Sequence, residues 1–515
     1  MSTRRRFLKD SALLGAGILL APQALRATVT SSASGTAGAA ISGTADAAIS
    51  GTAGAAISGT AGSAFSVASS AAHSGSFTSC RPAPADRLFV SEKVDDLIRK
   101  TAKKIRDPKL AWQFENCFPC TLDTTTYFEV KDGKPDTYVI TGDIDAMWLR
   151  DSSAQVFPYL RIAKEDKHLK EMLQGLIARQ SRCIVKDPYA NAFNKEDNGR
   201  GHQDDYTKMG PGIWERKWEV DSLCYPIRLA YHYWKTTGDA SVFTSEWDKA
   251  MRAVYRTFRE QQRPGGNQDS PYRFQRTSPV ACETLMLSGY GNPVKYCGLI
   301  CSSFRPSDDA TILPFLIPSN MFAVVSLRQV AEIYKHVMHG GHEFANECLA
   351  LAQEVDDAIK NIGTINHPTA GRIFAYEVDG YGNHYCMDDA NVPSLLAAPY
   401  LGYCAQDDPV YLNTRKYIWS LNNPYYFEGK AIAGIGGPHQ GQDNVWPMSL
   451  IVYALTTSDK KEIKRCIKAV SAVDANTGFV HETVHKDDPT NFTRSWFAWA
   501  NTLFGELILD HVDLL

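Results

Sequence analysis

Apolar residues recur along most of the chain at the spacing of one helix face. Over 165–184 they place Leu169, Met172, Leu173, Leu176, Ile177 and Ile184 on a single stripe. Over 341–361 the stripe is Phe344, Ala345, Cys348, Leu349, Ala352, Val355 and Ile359. A third, near the C-terminus, runs through Trp496, Phe497, Ala500, Leu503, Phe504, Leu507 and Ile508. A stripe of this kind buries one helix face and leaves the other wet. Weaker versions predict helices over 91–107, 152–163, 222–236, 241–261, 318–337, 389–403, 408–420, 442–456 and 459–472. The punctuation agrees: Gly238-Asp239 ends one helix, Gly340-Gly341 separates two, and Ser319 or Asn320 opens another.

That makes about twelve helices, mostly in close-spaced pairs. Between the pairs, 185–217, 263–316, 362–388, 421–441 and 473–493 have no helical period. Loops of such length are uncommon in a compact domain unless they carry function. Helix pairs in a ring, with the loops gathered at one rim, predict an all-α fold, an (α/α)6 toroid (six-hairpin barrel). A two-domain all-α solenoid is the alternative.

The N-terminal end departs from the pattern altogether. Thr3-Arg4-Arg5-Arg6-Phe7-Leu8-Lys9, an apolar run from Ala12 to Ala21 and then Ala24-Leu25-Arg26-Ala27 resemble a twin-arginine export signal over 1–27. The run is too short to span a bilayer comfortably. A mature protein with no membrane span is expected, in the periplasm or outside the cell. Residues 28–80 repeat an eight-residue unit, Ala-Ile-Ser-Gly-Thr-Ala-Gly/Asp-Ala, with Ile41, Ile49 and Ile57 in register. So few large apolar groups bury too little surface to offset chain entropy, so a flexible linker without chemistry is expected.

Composition narrows the remainder, 81–515, to one catalytic-sized domain with an ample core: 44% of the chain is hydrophobic and 11% aromatic. The net charge of −3 and the absence of a Lys/Arg stripe argue against a nucleic-acid partner. Twelve cysteines are scattered singly apart from Cys117-x-x-Cys120, which has no matching second pair for zinc. Buried free thiols, with at most one disulfide, are expected. The protein is expected to be a monomer.

The aperiodic segments hold an unusual concentration of Trp, Asp, Glu, Arg and His. In Thr141-Gly142-Asp143-Ile144-Asp145-Ala146-Met147-Trp148-Leu149-Arg150-Asp151-Ser152-Ser153, Asp151 or Ser152 has the form of an N-cap, which places Trp148 and Arg150 before a helix mouth. An aromatic face, a bidentate donor and carboxylates suit a sugar, whose ring packs on aromatics while its hydroxyls bridge carboxylate and guanidinium. A structural Arg–Asp network around a buried Trp explains the same residues. In Lys217-Trp218-Glu219-Val220-Asp221 the two acids alternate as in a short strand, and Asp221 is either a ligand group or a helix cap. Phe304-Arg305-Pro306-Ser307-Asp308-Asp309-Ala310 sets two carboxylates beside an Arg, where one held neutral serves as a general acid; a further cap is the alternative. Gly434-Ile435-Gly436-Gly437-Pro438-His439-Gln440-Gly441-Gln442-Asp443-Asn444-Val445-Trp446 allows close backbone approach but lacks the Lys-Ser/Thr ending of a phosphate cradle. In Gly478-Phe479-Val480-His481-Glu482-Thr483-Val484-His485 the histidines have zincin spacing, yet the β-branched pair between them is a poor helix start, and Glu482 reads better as a carboxylate base than as part of a zinc site.

Taken in order, Thr141–Ser153, Lys217–Asp221, Phe304–Ala310 with Leu316–Val325, Gly436–Trp446, and Gly478–Glu482 with Ser495–Asn501 resemble glycoside hydrolase family 125, metal-independent exo-α-1,6-mannosidases. The resemblance spans nearly all of 85–515. It implies an (α/α)6 fold, no metal or cofactor, a mannose-containing oligosaccharide or N-glycan-type substrate, and single-step hydrolysis with inversion. It places the acid in the Arg305–Ala310 loop, at Asp309 by its spacing from the base and otherwise at Asp308, and the base at Glu482. Such a reaction needs two carboxyls about 6.5–9.5 Å apart. Trp148, Arg150, Asp151, Asp221, Arg305, His439, Asn444 and Trp446 are expected to line the terminal sugar's subsite. A glucoamylase- or trehalase-like hydrolase, a sugar epimerase working with paired histidines, and a non-catalytic glycan-binding protein are the rival functions.

Overall fold

The computed structural model describes residues 77–338 and 340–515. The expected export segment at 1–27 and residues 28–76 of the expected linker 28–80 lie outside the described residues. The linker's last four residues are described, with Thr78 O accepting from Trp112 Nε1 (2.7 Å) and Cys80 N–H donating to Asn116 Oδ1 (2.9 Å). Among the described residues twelve α-helices have eight or more residues. They are α1 (Glu92–Ala102), α2 (Pro108–Cys117), α3 (Leu149–Val156), α4 (Lys167–Lys186), α5 (Val220–Thr237), α6 (Ser245–Gln261), α7 (Ile317–His336), α8 (His342–Ile362), α9 (Pro409–Ile418), α10 (Pro447–Leu455), α11 (Lys460–Ala472) and α12 (Ala498–His511).

Five of these form an inner ring, in which α3 packs on α5, α5 on α7, α10 on α12, and α12 back on α3. A run of turns at 392–403 fills the remaining inner place: Val392 O accepts from Tyr225 of α5, and Gly402 lies beside Val325 of α7. Outside stand α2, α4, α6, α8, α9 and α11, with α1 against α2. The return of α12 onto α2 and α3 closes the ring. This is an (α/α)6 toroid, not an open solenoid. Every residue of α3 is buried, as is α10 up to Ala454 and α12 up to Ile508, whereas α1 buries only Val94, Ile98 and Thr101. Along α10 and most of α12 the helix is apolar all round, as inner helices are, while α3 also buries the polar Arg150, Asp151 and Gln155; a striped helix such as α1 lies at the surface.

The helix predicted over 91–107 ends at Ala102, and α2, absent from the periodicity, follows. Asp107 caps it by accepting from the N–H groups of Lys109 and Leu110, and Pro108 sits where no N–H is needed. The helix predicted over 389–403 does not form. Pro393 and Pro399 lack N–H groups, and the buried Asp388 carboxylate takes the N–H of Leu395 (2.8 Å) and Leu396 (3.0 Å). Its apolar residues reach the core from turns instead. All twelve cysteines are free thiols, so the single disulfide entertained does not form.

The aperiodic segments also contain strands that an all-helical expectation leaves out. Met147–Trp148, Ala192–Phe193 and Ile213–Glu215 make one antiparallel three-stranded sheet. A second joins Phe315–Leu316, Glu377–Val378 and His384–Tyr385, and a third joins Asn444–Val445, Thr483–His485 and Asp488–Thr493. Each feeds the chain straight into an inner helix: α3, α7 and α10.

This arrangement changes how helices begin. Five of the six outer helices open on side-chain caps: Asp107, Asp166, Thr244, Asp408 and Asp459 each accept from N–H groups of the first turn, while α8 opens on Gly341. The inner helices open on Trp148, Glu219, Leu316, Trp446 and Phe497, none of which caps with its side chain. The loops serve them instead. Leu149 N–H donates to Asn191 O (3.0 Å), Val220 N–H to Ser302 Oγ (3.1 Å), Ile317 N–H to Tyr376 O (2.8 Å) and Ala498 N–H to Thr141 O (3.1 Å). Pro447, first in α10, has no N–H to satisfy.

Candidate active site

Because the loops satisfy these N–H groups, the side chains at the inner helix starts are free to face the rim. A cavity of about 150 Å³ opens there, lined by Trp148, Arg150, Asp151, Asp308, His439, Trp446, Glu482 and Arg494 among others. Trp148 is the residue before α3, and Arg150 and Asp151 are in its first turn, so neither Asp151 nor Ser152 is the cap. Ser319 and Asn320 likewise lie inside α7. The N-terminal ends of α3 and α10 both meet the cavity, and their dipoles favour negative charge there.

Arg150 organises one wall. Its guanidinium lies within reach of four carboxylates: Glu219, Asp221 (3.3 Å), Asp308 (3.4 Å) and Asp151 (3.5 Å). Glu219 and Asp221 both face it, although they do so from the start of α5 and not from a strand. Burial pushes the Asp151 carboxyl up to about 6 against the pull of Arg150, and Asp221 likewise to about 6. Asp308 goes the other way. Burial raises it, but Arg150 and Lys217 outweigh that and hold it well below the usual carboxylate range.

The Arg305–Ala310 loop folds on itself. Asp308 N–H donates to Arg305 O (2.9 Å), Arg305 N–H donates to Asp309 O (2.8 Å), and Asp308 takes a left-handed backbone, φ +67°. Asp tolerates this conformation better than most residues. The turn sends the adjacent carboxylates in opposite directions. Asp308 reaches the cavity wall, while Asp309, 0% exposed, lies behind it with Oδ1 3.2 Å from His439 Nδ1 and Oδ2 accepting from Ser307 Oγ at 3.3 Å. Burial lowers the His439 imidazole, but Asp309, with Asp308 and Glu482 further off, lifts it to about 9.

Glu482 enters from the far side, just before the strand Thr483–His485. Gln440 Nε2 and Thr493 Oγ1 both donate to its Oε2 at 2.9 Å, and Arg494 lies 3.4 Å from Oε1. The neighbours His439 and Gln440 therefore hold Asp309 and Glu482 respectively. The glycines around them are sterically required: a Cβ on Gly436 would lie 2.3 Å from Asn444 O, and one on Gly437 would lie 2.8 Å from Asp389 Oδ2.

Five of the eight expected subsite residues, Trp148, Arg150, Asp151, His439 and Trp446, stand on the cavity wall. The other three stand behind it. Asp221 is 0% exposed against Arg150 and Ser319; Arg305 is turned onto Glu377 (2.7 Å) and the Tyr376 ring; Asn444 donates to Gln440 O (2.6 Å) and shapes the loop. His481 stacks on Phe492 and bonds toward Asp474 O, so it does not join Glu482 and His485 in a cluster. Periodicity and motifs overlooked Arg494, Asn391 and Trp499 on the wall, and the clamp from Thr493. Only Trp499 carried a signal, an aromatic in the first turn of α12.

A family model for metal-independent alpha-mannosidase (GH125) matches residues 107–509. The Meiotically up-regulated gene 157 protein of Schizosaccharomyces pombe is 43% identical over 450 residues, 84% of this chain and 88% of that one. Among solved structures, one from Streptococcus pneumoniae is 44% identical and covers 83% of this chain and 99% of its own, with a TM-score of 0.79. It comes from a family of metal-independent alpha mannosidases and is a non-productive complex with alpha-1,6-mannobiose. The chain is a member of glycoside hydrolase family 125, the metal-independent α-mannosidases.

Proposed function

We propose that this α-mannosidase is exo-acting, removes terminal α-1,6-linked mannose from glycans, and works in one step with inversion. The observation that carries the proposal is the pairing of two carboxyls across one cavity by consecutive residues, His439 on Asp309 and Gln440 on Glu482. The two carboxyls, brought from distant parts of the chain to adjacent residues of one loop, are the kind of pair an inverting glycosidase needs, one to protonate the leaving oxygen and one to activate water.

Glu482 is the base. Its Oε2 is fixed by Gln440 and Thr493, ready to take a proton from a water that attacks the anomeric carbon. The acid function belongs to Asp309 together with His439, which stands between it and the cavity; the pair delivers a proton to the leaving oxygen as the glycosidic bond breaks. Asp308, the alternative acid, is held ionised by Arg150 and Lys217 and so is a poor proton donor; it fits a hydroxyl-binding role. Trp148 Nε1, Trp446 Nε1 and Arg150 Nε have no hydrogen-bond partner among the described residues, and each is a donor that a sugar hydroxyl can satisfy. The cavity is smaller than the roughly 300–1,000 Å³ of drug-sized sites, which suits a single terminal sugar.

The test is hydrolysis of α-1,6-mannobiose followed by proton NMR from the first turnover. Initial release of β-mannose is expected. Initial α-mannose, or cleavage only of another linkage, overturns the proposal. The export signal at 1–27 leads us to place this activity in the periplasm or outside the cell; loss of export when Arg4, Arg5 and Arg6 become lysine is the check.

A further inference from the structure

Four carboxylates around one guanidinium pose a charge problem that Arg150 alone does not solve. Glu219, like Asp221, is 0% exposed; it accepts from Arg150 Nη1, from Ser222 Oγ (2.7 Å) and from Asn191 Nδ2 (3.3 Å). Asp308 lies beside it: Asn191 Nδ2, 3.3 Å from Glu219, is also 3.4 Å from Asp308, and Arg150 donates to both. Two enclosed carboxyls that crowd the same donors repel when both are ionised, and a proton held on one turns the repulsion into a hydrogen bond. Of the two, Asp308 has cations on two sides, with Arg150 at 3.4 Å and the Lys217 ammonium on its backbone carbonyl at 2.8 Å.

We propose that Glu219 is a neutral positioning acid that donates a hydrogen bond to Asp308 and so fixes it to accept from a hydroxyl of the terminal sugar. This deepens the proposed mannosidase function and rests on it. Other groups facing the pair are Asp151, Asp221, Glu215, Lys217 and His439. Their like-signed members add to the same result, since burial followed by the neighbouring Asp308 and Asp221 charges drives the Glu219 carboxyl well above its ordinary range, against Arg150. The assignment explains how a dry wall with four acids and one Arg stays folded around a neutral ligand.

The experiment compares wild type, Glu219→Gln and Glu219→Leu in steady-state kinetics on α-1,6-mannobiose from pH 5 to 10. An amide keeps the donor to Asp308, so Glu219→Gln retains most of the wild-type kcat/KM. Leucine leaves Asp308 without its positioning partner, and KM rises about tenfold or more. Wild-type kcat/KM falls at alkaline pH as the shared proton leaves, and Glu219→Gln shifts or flattens that limb, because an amide does not titrate. Equal losses in both variants with an unaltered pH profile overturn the proposal and make Glu219 an ionised partner of Arg150. Should Glu219→Leu fail to fold, the Glu219→Gln profile decides alone. A readout independent of turnover is the infrared difference spectrum of wild type minus Glu219→Gln. A protonated carboxyl carbonyl band is expected at neutral pH; a carboxylate band in its place sinks the proposal even in an active enzyme. Absent mannosidase activity in wild type with the protonated band present leaves Glu219 neutral and removes only the proposed function.

Discussion

The outer and inner rings of this toroid use the same secondary structure for different ends, and their helix starts show it. An outer helix such as α11 begins on Asp459, whose carboxylate accepts from Lys461 N–H and Glu462 N–H. An inner helix such as α3 begins on Trp148, and its first N–H is taken by Asn191 O, just before the strand Ala192–Phe193. The outer cap is local and replaceable. Inner starts depend on segments distant in sequence, and that dependence leaves Trp148 and Trp446 free to line the cavity. Stability is thus spread around the outside, while the inner rim carries chemistry and tolerates charge crowding.

If the division is right, perturbing each ring should move different observables. The largest effect is on turnover at the inner rim. Glu482→Gln should lower kcat by about 10²–10⁴-fold, about 3–5 kcal/mol of barrier, with an unchanged unfolding midpoint. Asp309→Asn should do the same for α-1,6-mannobiose but much less for a mannosyl fluoride, whose leaving group needs no proton. Variants that keep more than a tenth of the wild-type rate on the mannobiose defeat the assignment. Next comes Arg150→Met, which strips four carboxylates of their guanidinium. A loss of about 3–5 kcal/mol in urea unfolding is expected, along with loss of activity; a well-folded variant shows that the acids hold more protons than described above. In the outer ring, Asp459→Ala should cost about 1 kcal/mol of stability and leave kcat alone. A matching loss of activity there erases the distinction between rings.

The last effect is a pH dependence. His439 is lifted from 6.5 to about 9 in the folded chain. A raised imidazole contributes stability fully present below pH 6.5 and lost as pH rises through about 9. The stability gap between wild type and His439→Gln should therefore narrow across that window. A gap that is constant, or that widens with pH, shows the imidazole to be neutral.

The same contrast explains what the sequence made legible. Surface helices announce themselves through stripes and caps, and α4, α6, α8 and α11 fall within a few residues of their expected limits. Inner starts do not, because Trp148, Glu219 and Phe497 are not cap-forming residues; Asp151, Ser152 and Asp221 looked like caps and are not. The turns at 392–403 passed for a helix because Leu395, Leu396 and Leu401 have helical spacing, while the competing Asp388 carboxylate comes from outside the window. Candidate acids and aromatics were visible from composition and motif. Which of them reach the cavity was not: Asp308 and Asp309 are neighbours separated only by the left-handed turn at Asp308, and Arg494 belongs to no pattern.

The adjacency of His439 and Gln440 has a consequence for how this scaffold can change over time. Both carboxyls of the proposed catalytic pair are tethered to one dipeptide, so a displacement of this loop would carry both supports together. Insertions in the outer helices do not touch this dipeptide. Shortening or lengthening the loop beside it would disturb both supports at once.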